Sequence, residues 1–212
     1  MGSGFVLEEA EAKLLLNADV KNADVIFPFM NGDDLNSDSQ QRPSRWVVNF
    51  WDWPEERARK YQKPWAWIEE RVKPERQRRD ENGNFVLRRP LPERWWQYGD
   101  KRPTLYHAIG RGHAFEQHPE GWQSDAKPLP EVLATSFVGK YFGPSVVPNN
   151  AIFSHACAVF AVPRPHAFAA LLNSSIGQAW VWQQSSRHET RLRFAPSDAI
   201  ETMPFPKKLD VL

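Results

Sequence analysis

Apolar residues recur along the chain with two spacings, one typical of helices and one typical of strands. Helical spacing predicts helices over residues 8–16, 64–79 and 167–182, and Pro74 is expected to kink or break the second of them. A shorter helix is predicted from Pro54, which suits a first helical position and is followed by two acidic residues. A further short helix is predicted over residues 103–109.

Strand-like runs are rich in β-branched and aromatic residues. They cover residues 24–30, 45–51, 131–138, 145–147, 152–162 and 191–194, and residues 31–34 (NGDD) predict a turn. The combined pattern predicts an α+β fold: a single mixed domain with a twisted, mainly antiparallel sheet, flanking helices and long loops. We expect residues 5–206 to form this domain and residues 207–212 to form a tail.

Composition narrows the class of protein. The 212 residues are enough for a substantial core, and ten Trp with eighteen Pro favour a loop-rich mixed fold over a helical bundle. The one cysteine, Cys157, excludes an intramolecular disulfide and a zinc site built from cysteines. The sequence has no long apolar run and no signal peptide, so we expect a cytoplasmic protein with no membrane partner.

Net charge is only +1, but basic residues concentrate in one segment. Between Arg71 and Arg94, eight basic side chains stand against four acidic ones. Most of the basic residues are arginines, whose planar guanidinium suits phosphate. We therefore expect seven residues to contact nucleic-acid phosphates: Arg71, Lys73, Arg76, Arg78, Arg79, Arg88 and Arg89.

The most informative pattern lies at residues 189–193 (ETRLR), where charged side chains recur at every second position. In an extended strand, Glu189, Arg191 and Arg193 would share one face, and the residues between them would share the other. Arginine pairs bidentately with guanine O6 and N7, and a carboxylate accepts from cytosine N4, so this face suits base reading. The same spacing is also typical of a solvated edge strand whose charges discourage aggregation.

The sequence contains no complete catalytic constellation, and neither catalytic nor metal-binding residues are predicted. Residues 110–112 (GRG) are a lone GxG that follows a helix-like segment, which favours an ordinary loop over nucleotide binding. His155 and Cys157 have no orienting acid beside them, so a buried structural thiol is favoured. Trp95 and Trp96 could stack on bases, but tandem Trp near Pro is more typical of a core. A binding role is therefore favoured over catalysis.

Several motifs occur in the order found in one known family. They are residues 24–36 (DVIFPFMNGDDLN), 45–54 (RWVVNFWDWP), 70–76 (ERVKPER), 94–109 (RWWQYGDKRPTLYHAI), 152–155 (IFSH), 171–176 (LLNSSI) and 193–206 (RFAPSDAIETMPFP). On these motifs, most of the chain resembles the target recognition domain of single-chain type IIL (MmeI-like) restriction–modification enzymes.

The resemblance implies a domain that reads duplex DNA through the major groove for other domains of a parent enzyme. Those domains are an adenine-N6 methyltransferase and an N-terminal nuclease. The family's base-contacting positions lie just before its Phe/Tyr-x-Pro-Ser segment, and by that motif they carry over to Glu189, Arg191 and Arg193. The resemblance implies no cofactor in this chain, and S-adenosylmethionine is expected for the parent enzyme.

The chain also departs from the family pattern. Gly177 stands where the family usually has His, and residues 110–130 are longer and more polar. The methyltransferase, the nuclease and the usual C-terminal helical extension are absent from the 212 residues, so we expect an excised or stand-alone recognition module that is non-catalytic alone. Two alternatives stay open: an enzyme fragment whose activity needs the missing domains, and a protein-interaction or anti-restriction module with a Trp-rich binding surface.

Overall fold

The structure is a computed structural model that describes residues 2–122, 127–188 and 190–205, apart from the side chain of His188. It confirms the α+β class, with helices combined with small, mainly antiparallel sheets. The chain divides into two compact units: Met1–Phe29 with Ser44–Lys127, and Met30–Pro43 with Pro128–Leu212. The predicted tail, residues 207–212, lies outside the described residues.

The helices and strands have the following bounds. The α-helices are α1 (Glu9–Ala18), α2 (Gly32–Ser37), α3 (Glu55–Ala58), α4 (Gln62–Arg71), α5 (Lys73–Arg76), α6 (Pro103–Ala108), α7 (Pro165–Asn173), α8 (Ser175–Gln184) and α9 (Pro196–Ala199). The strands are β1 (Val6–Leu7), β2 (Ile26–Met30), β3 (Arg45–Val48), β4 (Glu131–Ser136), β5 (Val138–Gly139), β6 (Ser145–Pro148), β7 (Ile152–Phe153), β8 (Cys157–Phe160), β9 (Ser186–His188) and β10 (Arg191–Arg193). Short 3-10 helices cover Ser3–Phe5, Val20–Asp24 and Gly112–Ala114.

In the first unit, β3 pairs antiparallel with β1 on one side and β2 on the other. Aromatic side chains form much of the core in this unit. Phe5 meets Tyr98 edge to face at 4.9 Å between ring centroids, and Trp65 meets Trp95 at 4.8 Å. Trp96 is also buried, so the tandem Trp pair belongs to the core, as the sequence favoured.

The helix predicted over residues 64–79 is two helices, and the break falls at Val72 rather than at Pro74. Pro74 is the second residue of α5, where the first turn of a helix needs no backbone donor. After α5 ends at Arg76, residues 77–94 run as turns and bends with one bridge between Arg79 and Phe85. Most of the basic segment is therefore not helical.

In the second unit, two three-stranded antiparallel sheets surround an apolar core. Strand β4 lies between β6 and β8, and β10 lies between β5 and β9. The core includes Leu133, Leu172, Val181, Leu192 and Phe194. Because Leu192 belongs to this core, the apolar face of β10 is held against it and the opposite face is turned outward.

Three segments of the second unit differ from the sequence prediction. The helix predicted over residues 167–182 is interrupted at Ser174, whose hydroxyl accepts from the Gly177 N–H at 3.1 Å and caps α8. The strand predicted over residues 152–162 is divided into β7 and β8 by a turn at residues 155–156. Residues 31–34 are the capped start of α2 rather than a turn, because the Asn31 side chain accepts from the Asp33 N–H at 2.7 Å.

Candidate nucleic-acid interface

Strand β10 presents charged and apolar side chains to opposite faces. Arg191 and Arg193 are exposed, whereas Leu192 is only 2% exposed. The alternation predicted from the sequence is confirmed for these three residues. Glu189, the third residue predicted to read bases, lies outside the described residues.

Strand β10 is the middle strand of its sheet. Leu192 and Arg193 pair with Gly139 and Val138 on β5, and all three residues of β10 pair with β9. The sequence left open a solvated edge strand whose charges discourage aggregation. That alternative is wrong, because both edges of β10 are occupied and an edge-protecting role applies only to an unpaired edge.

Arg191 and Arg193 are exposed, and their ion pairs can be assessed only with the residues that the structure describes. Neither the Arg191 nor the Arg193 guanidinium forms an ion pair with another residue that the structure describes. Their Cα atoms are separated by two residues of strand, about 6.6 Å. Two guanidinium groups on a rigid face can each donate a pair of hydrogen bonds to a guanine edge or to a phosphate.

Arg193 has a neighbour in register on each side of its strand. Val138 lies opposite it on β5, and Ser186 lies opposite it on β9. Directly opposed residues of antiparallel strands project from the same face, and both neighbours are exposed. We call the exposed side of the β5–β10–β9 sheet, with Arg191, Arg193, Val138 and Ser186, the reading face. The sequence pattern gave no sign of the two neighbours, because register between distant strands is not visible in it.

Arg71 and Lys73 already have partners in the first unit. The Arg71 guanidinium carbon lies 3.4 Å from the centroid of the Trp67 ring. Lys73 donates to Glu69 at 2.8 Å, and this hydrogen bond lowers the pKa of the Glu69 carboxyl. Both basic side chains remain partly accessible.

Arg76 differs from the other residues predicted to bind phosphate because it is buried. It is 6% exposed, and its guanidinium donates to the backbone oxygen of Gln97 at 3.5 Å. Burial lowers the pKa of the Arg76 guanidinium. The buried Arg76 side chain therefore connects α5 to the segment that contains Gln97.

The remaining predicted phosphate ligands are exposed and follow α5 in the chain: Arg78, Arg79, Arg88 and Arg89. Arg79 donates to the Gly83 backbone oxygen and lies 4.1 Å from the Phe85 ring centroid, and Arg89 pairs with Glu93 at 2.5 Å. Within the described ranges, Arg78 and Arg88 form no ion pair. Arg78 and Arg88 are therefore the members of this set most open to a phosphate.

Gly112 and Cys157, which could have supported cofactor binding or catalysis, are packed into the fold. A Cβ added to Gly112 would lie 2.4 Å from the His107 ring, so this GxG is a tightly packed turn after α6. Cys157 is fully buried, and His155 lies in the turn before β8, so the thiol is structural as predicted. Across the described residues, no group of three or more His, Cys, Asp or Glu side chains could hold a metal ion.

Most of the Trp residues are buried or half-buried in the fold. All ten lie in the described ranges, and Trp122, at 38% exposed, is the one exposed member. The other nine Trp residues are buried or half-buried. No helix in the described part of the chain is long and apolar enough to cross a membrane.

The chain shares its fold with a solved structure, although it matches no sequence family. No family model matches the chain, and no curated protein matches it. Among solved structures, the chain is similar to the Type IIL restriction-modification enzyme MmeI in complex with DNA, with a TM-score of 0.60 and 15% sequence identity. The likeness covers 96% of this chain and 23% of that chain, so this chain spans less than a quarter of the enzyme's length. At this identity the likeness shows a shared fold.

Proposed function

We propose that this chain recognises a specific sequence in double-stranded DNA by reading base edges in the major groove. The observation that carries the proposal is the reading face, where a middle strand anchored by Leu192 presents two exposed arginines without a described ion-pair partner. The fold shared with an enzyme solved in complex with DNA supports the same function.

Arg191 and Arg193 supply the sequence-specific contacts. Each guanidinium can donate two parallel hydrogen bonds to O6 and N7 of one guanine, and each such pair discriminates by roughly 1–3 kcal/mol. Glu189 supplies a carboxylate that accepts from cytosine N4, an assignment that comes from the sequence and the family resemblance. Because the sheet fixes the backbone of β10, the arginines are pre-organised for binding.

The basic residues of the first unit supply contacts to phosphates, which position the protein without selecting a sequence. Arg78 and Arg88 are exposed without a described ion-pair partner and carry most of this role. Four others would share their present partners with a phosphate: Arg71, Lys73, Arg79 and Arg89. Buried Arg76 supports this surface from beneath rather than touching DNA.

Recognition of this kind serves enzymes that modify or cut DNA at a chosen sequence. We propose that the chain is the recognition part of a restriction–modification enzyme, whose adenine-N6 methyltransferase and nuclease domains carry the chemistry. S-adenosylmethionine would bind the methyltransferase domain. About three contacted base pairs give modest affinity, so the chain alone should bind weakly.

Selection of binding sites from randomised duplexes at low salt tests the proposal. The wild-type chain should enrich one short sequence. Arg191→Ala should enrich the same sequence with one position relaxed, because the variant loses one bidentate contact and keeps the phosphate contacts.

Arg164→Ala is a matched control, since Arg164 is an exposed arginine of the second unit outside the reading face. It should leave the selected sequence unchanged. Equal loss of affinity for every duplex in Arg191→Ala would remove base reading from the function, and no enrichment by the wild type would remove sequence recognition altogether.

A further inference from the structure

We infer that Val138 reads the 5-methyl group of a thymine next to the base pair that Arg193 contacts. This inference rests on the proposed function, because it assigns a further specificity-determining residue to the reading face. It also names the base: thymine alone among the four standard bases presents a methyl group in the major groove.

Register places Val138 beside the base-reading arginine. Val138 and Arg193 are directly opposed Cα partners on neighbouring antiparallel strands. Side chains in such a pair start from Cβ atoms about 4.5–5.5 Å apart and project from the same face. The next step of a DNA strand is about 3.4 Å away, so the neighbour of Arg193 faces the adjacent base pair rather than the same one.

Val138 is an exposed apolar residue on the reading face. Val138 is 41% exposed, although β-branched apolar residues are usually buried. On the other face of the same sheet, Leu192 is buried in the core. A valine turned outward beside an exposed arginine gives the reading face one apolar contact and one set of donors, which together suit a thymine beside a guanine.

The backbone of Val138 is held in place by its neighbours. Its carbonyl oxygen accepts from the Asn36 side chain at 3.1 Å and from the Ser136 hydroxyl at 2.9 Å. Its N–H donates to the Ser136 hydroxyl at 3.3 Å. A short side chain can select a methyl group only if its backbone does not shift, and these hydrogen bonds supply that rigidity.

The row is asymmetric about Arg193. On the other side, the Ser186 hydroxyl donates to the Arg193 backbone oxygen at 3.5 Å and is thereby directed toward the sheet. Val138 is therefore the neighbour that offers a methyl-sized apolar contact, and the thymine lies on the β5 side of the arginine.

The test replaces each thymine of the selected site, one at a time, with deoxyuridine, which keeps base pairing and removes only the methyl group. Binding is measured for the complete chain and for Val138→Ala. Arg193→Ala relaxes the identity of one base pair in the selected site. For the wild type, deoxyuridine at the thymine next to that base pair should weaken binding roughly fourfold, equivalent to the ~0.8 kcal/mol of one buried methyl-sized group. For Val138→Ala the same substitution should change nothing, because the contact is already lost.

Ile176→Ala is the matched control, because Ile176 is a β-branched side chain that is 76% exposed on α8, away from this sheet. It should keep the full fourfold response to deoxyuridine. Val138→Thr retains one γ-methyl and the strand preference of the wild type, and it should keep part of the response.

The outcomes separate this inference from the proposed function. Suppose that the wild type selects a sequence, but that every thymine-to-deoxyuridine change weakens the wild type and Val138→Ala equally. Then the Val138 role is wrong and sequence recognition stands. If the selected site has no thymine beside the Arg193 position, the inference is also overturned. If the wild type selects no sequence, both fail together.

Discussion

Arg76 and Arg78 lie two positions apart in the chain, and burial gives them different roles. Arg76 is 6% exposed and bonded to a backbone oxygen, whereas Arg78 is exposed. A buried guanidinium contributes to folding through its hydrogen bonds, and an exposed one can meet the counterion atmosphere of DNA. The sequence groups both as basic, because charge patterning does not reveal which side chain turns inward.

The pair gives a prediction at the scale of single residues. Arg78→Ala should weaken binding to all duplexes alike and should reduce the slope of log K against log salt by about 0.9, since one phosphate contact is lost. Arg76→Ala should leave that slope unchanged and should lower the free energy of unfolding by about 1.5–3 kcal/mol, the contribution typical of a hydrogen bond from a charged group.

Titration of duplex binding over a range of salt concentrations, together with urea unfolding, separates the two effects. A slope that is the same in Arg78→Ala and the wild type would contradict the phosphate role of Arg78. Unchanged stability in Arg76→Ala would contradict the structural role of Arg76.

At the scale of secondary-structure elements, the junction of α7 and α8 explains the glycine at position 177, where the family that the sequence resembles usually has His. A Cβ added to Gly177 would lie 2.3 Å from the Leu171 backbone oxygen and 2.9 Å from the Leu172 Cα. Here the two helices approach so closely that only glycine fits. The histidine that the family usually carries at this position cannot be accommodated in this packing.

Gly177→Ala should therefore destabilise the protein. Alanine normally favours a helix by about 0.5–1 kcal/mol over glycine, but overpacking at a backbone contact costs about 1–3 kcal/mol, so the clash should decide the sign. Urea unfolding should show a lower midpoint for Gly177→Ala.

Ser175→Ala, at an exposed position two residues earlier in the same helix, is the matched control and should leave the midpoint nearly unchanged. Equal or greater stability in Gly177→Ala would show that the α7–α8 contact relaxes without strain.

The elements also show where sequence patterns are sufficient. The helix predicted over residues 8–16 is α1, which buries Ala12 and Leu15 on one side. The strand predicted over residues 24–30 contains β2, because this run is largely apolar and strand-like. The prediction over residues 167–182 missed the break at Ser174, because α7 and α8 both contribute apolar residues to the same core and the stripe continues across the cap. Hydrophobic spacing shows which residues are buried. It carries no information about the Ser174 hydroxyl that caps α8 and divides the run.

At the scale of the whole molecule, net charge is only +1, so overall electrostatics cannot provide strong attraction to DNA. Any binding must come from local features: exposed arginines in the first unit and the reading face in the second. The alternation at residues 191–193 could be predicted because period-two spacing fixes faces in a strand. The position of Val138 beside Arg193 could not, because more than fifty residues separate the two and only the folded register brings them together.

The α+β fold class could be predicted from the sequence, and the likeness to MmeI shows a shared fold. The base-reading residues are a proposal. The exposure and strand register of Arg191 and Arg193 support their assignment, whereas Glu189 rests on the sequence pattern and the resemblance.

The most direct measurement of the central claim is binding to the selected site with each guanine replaced in turn by 7-deazaguanine, which keeps Watson–Crick pairing and removes the N7 acceptor from the major groove. We predict that replacement at each of two guanines weakens wild-type binding by roughly 1–3 kcal/mol, and that one of these two replacements has no further effect on Arg191→Ala. Binding that tolerates 7-deazaguanine at every guanine would contradict base reading by these arginines.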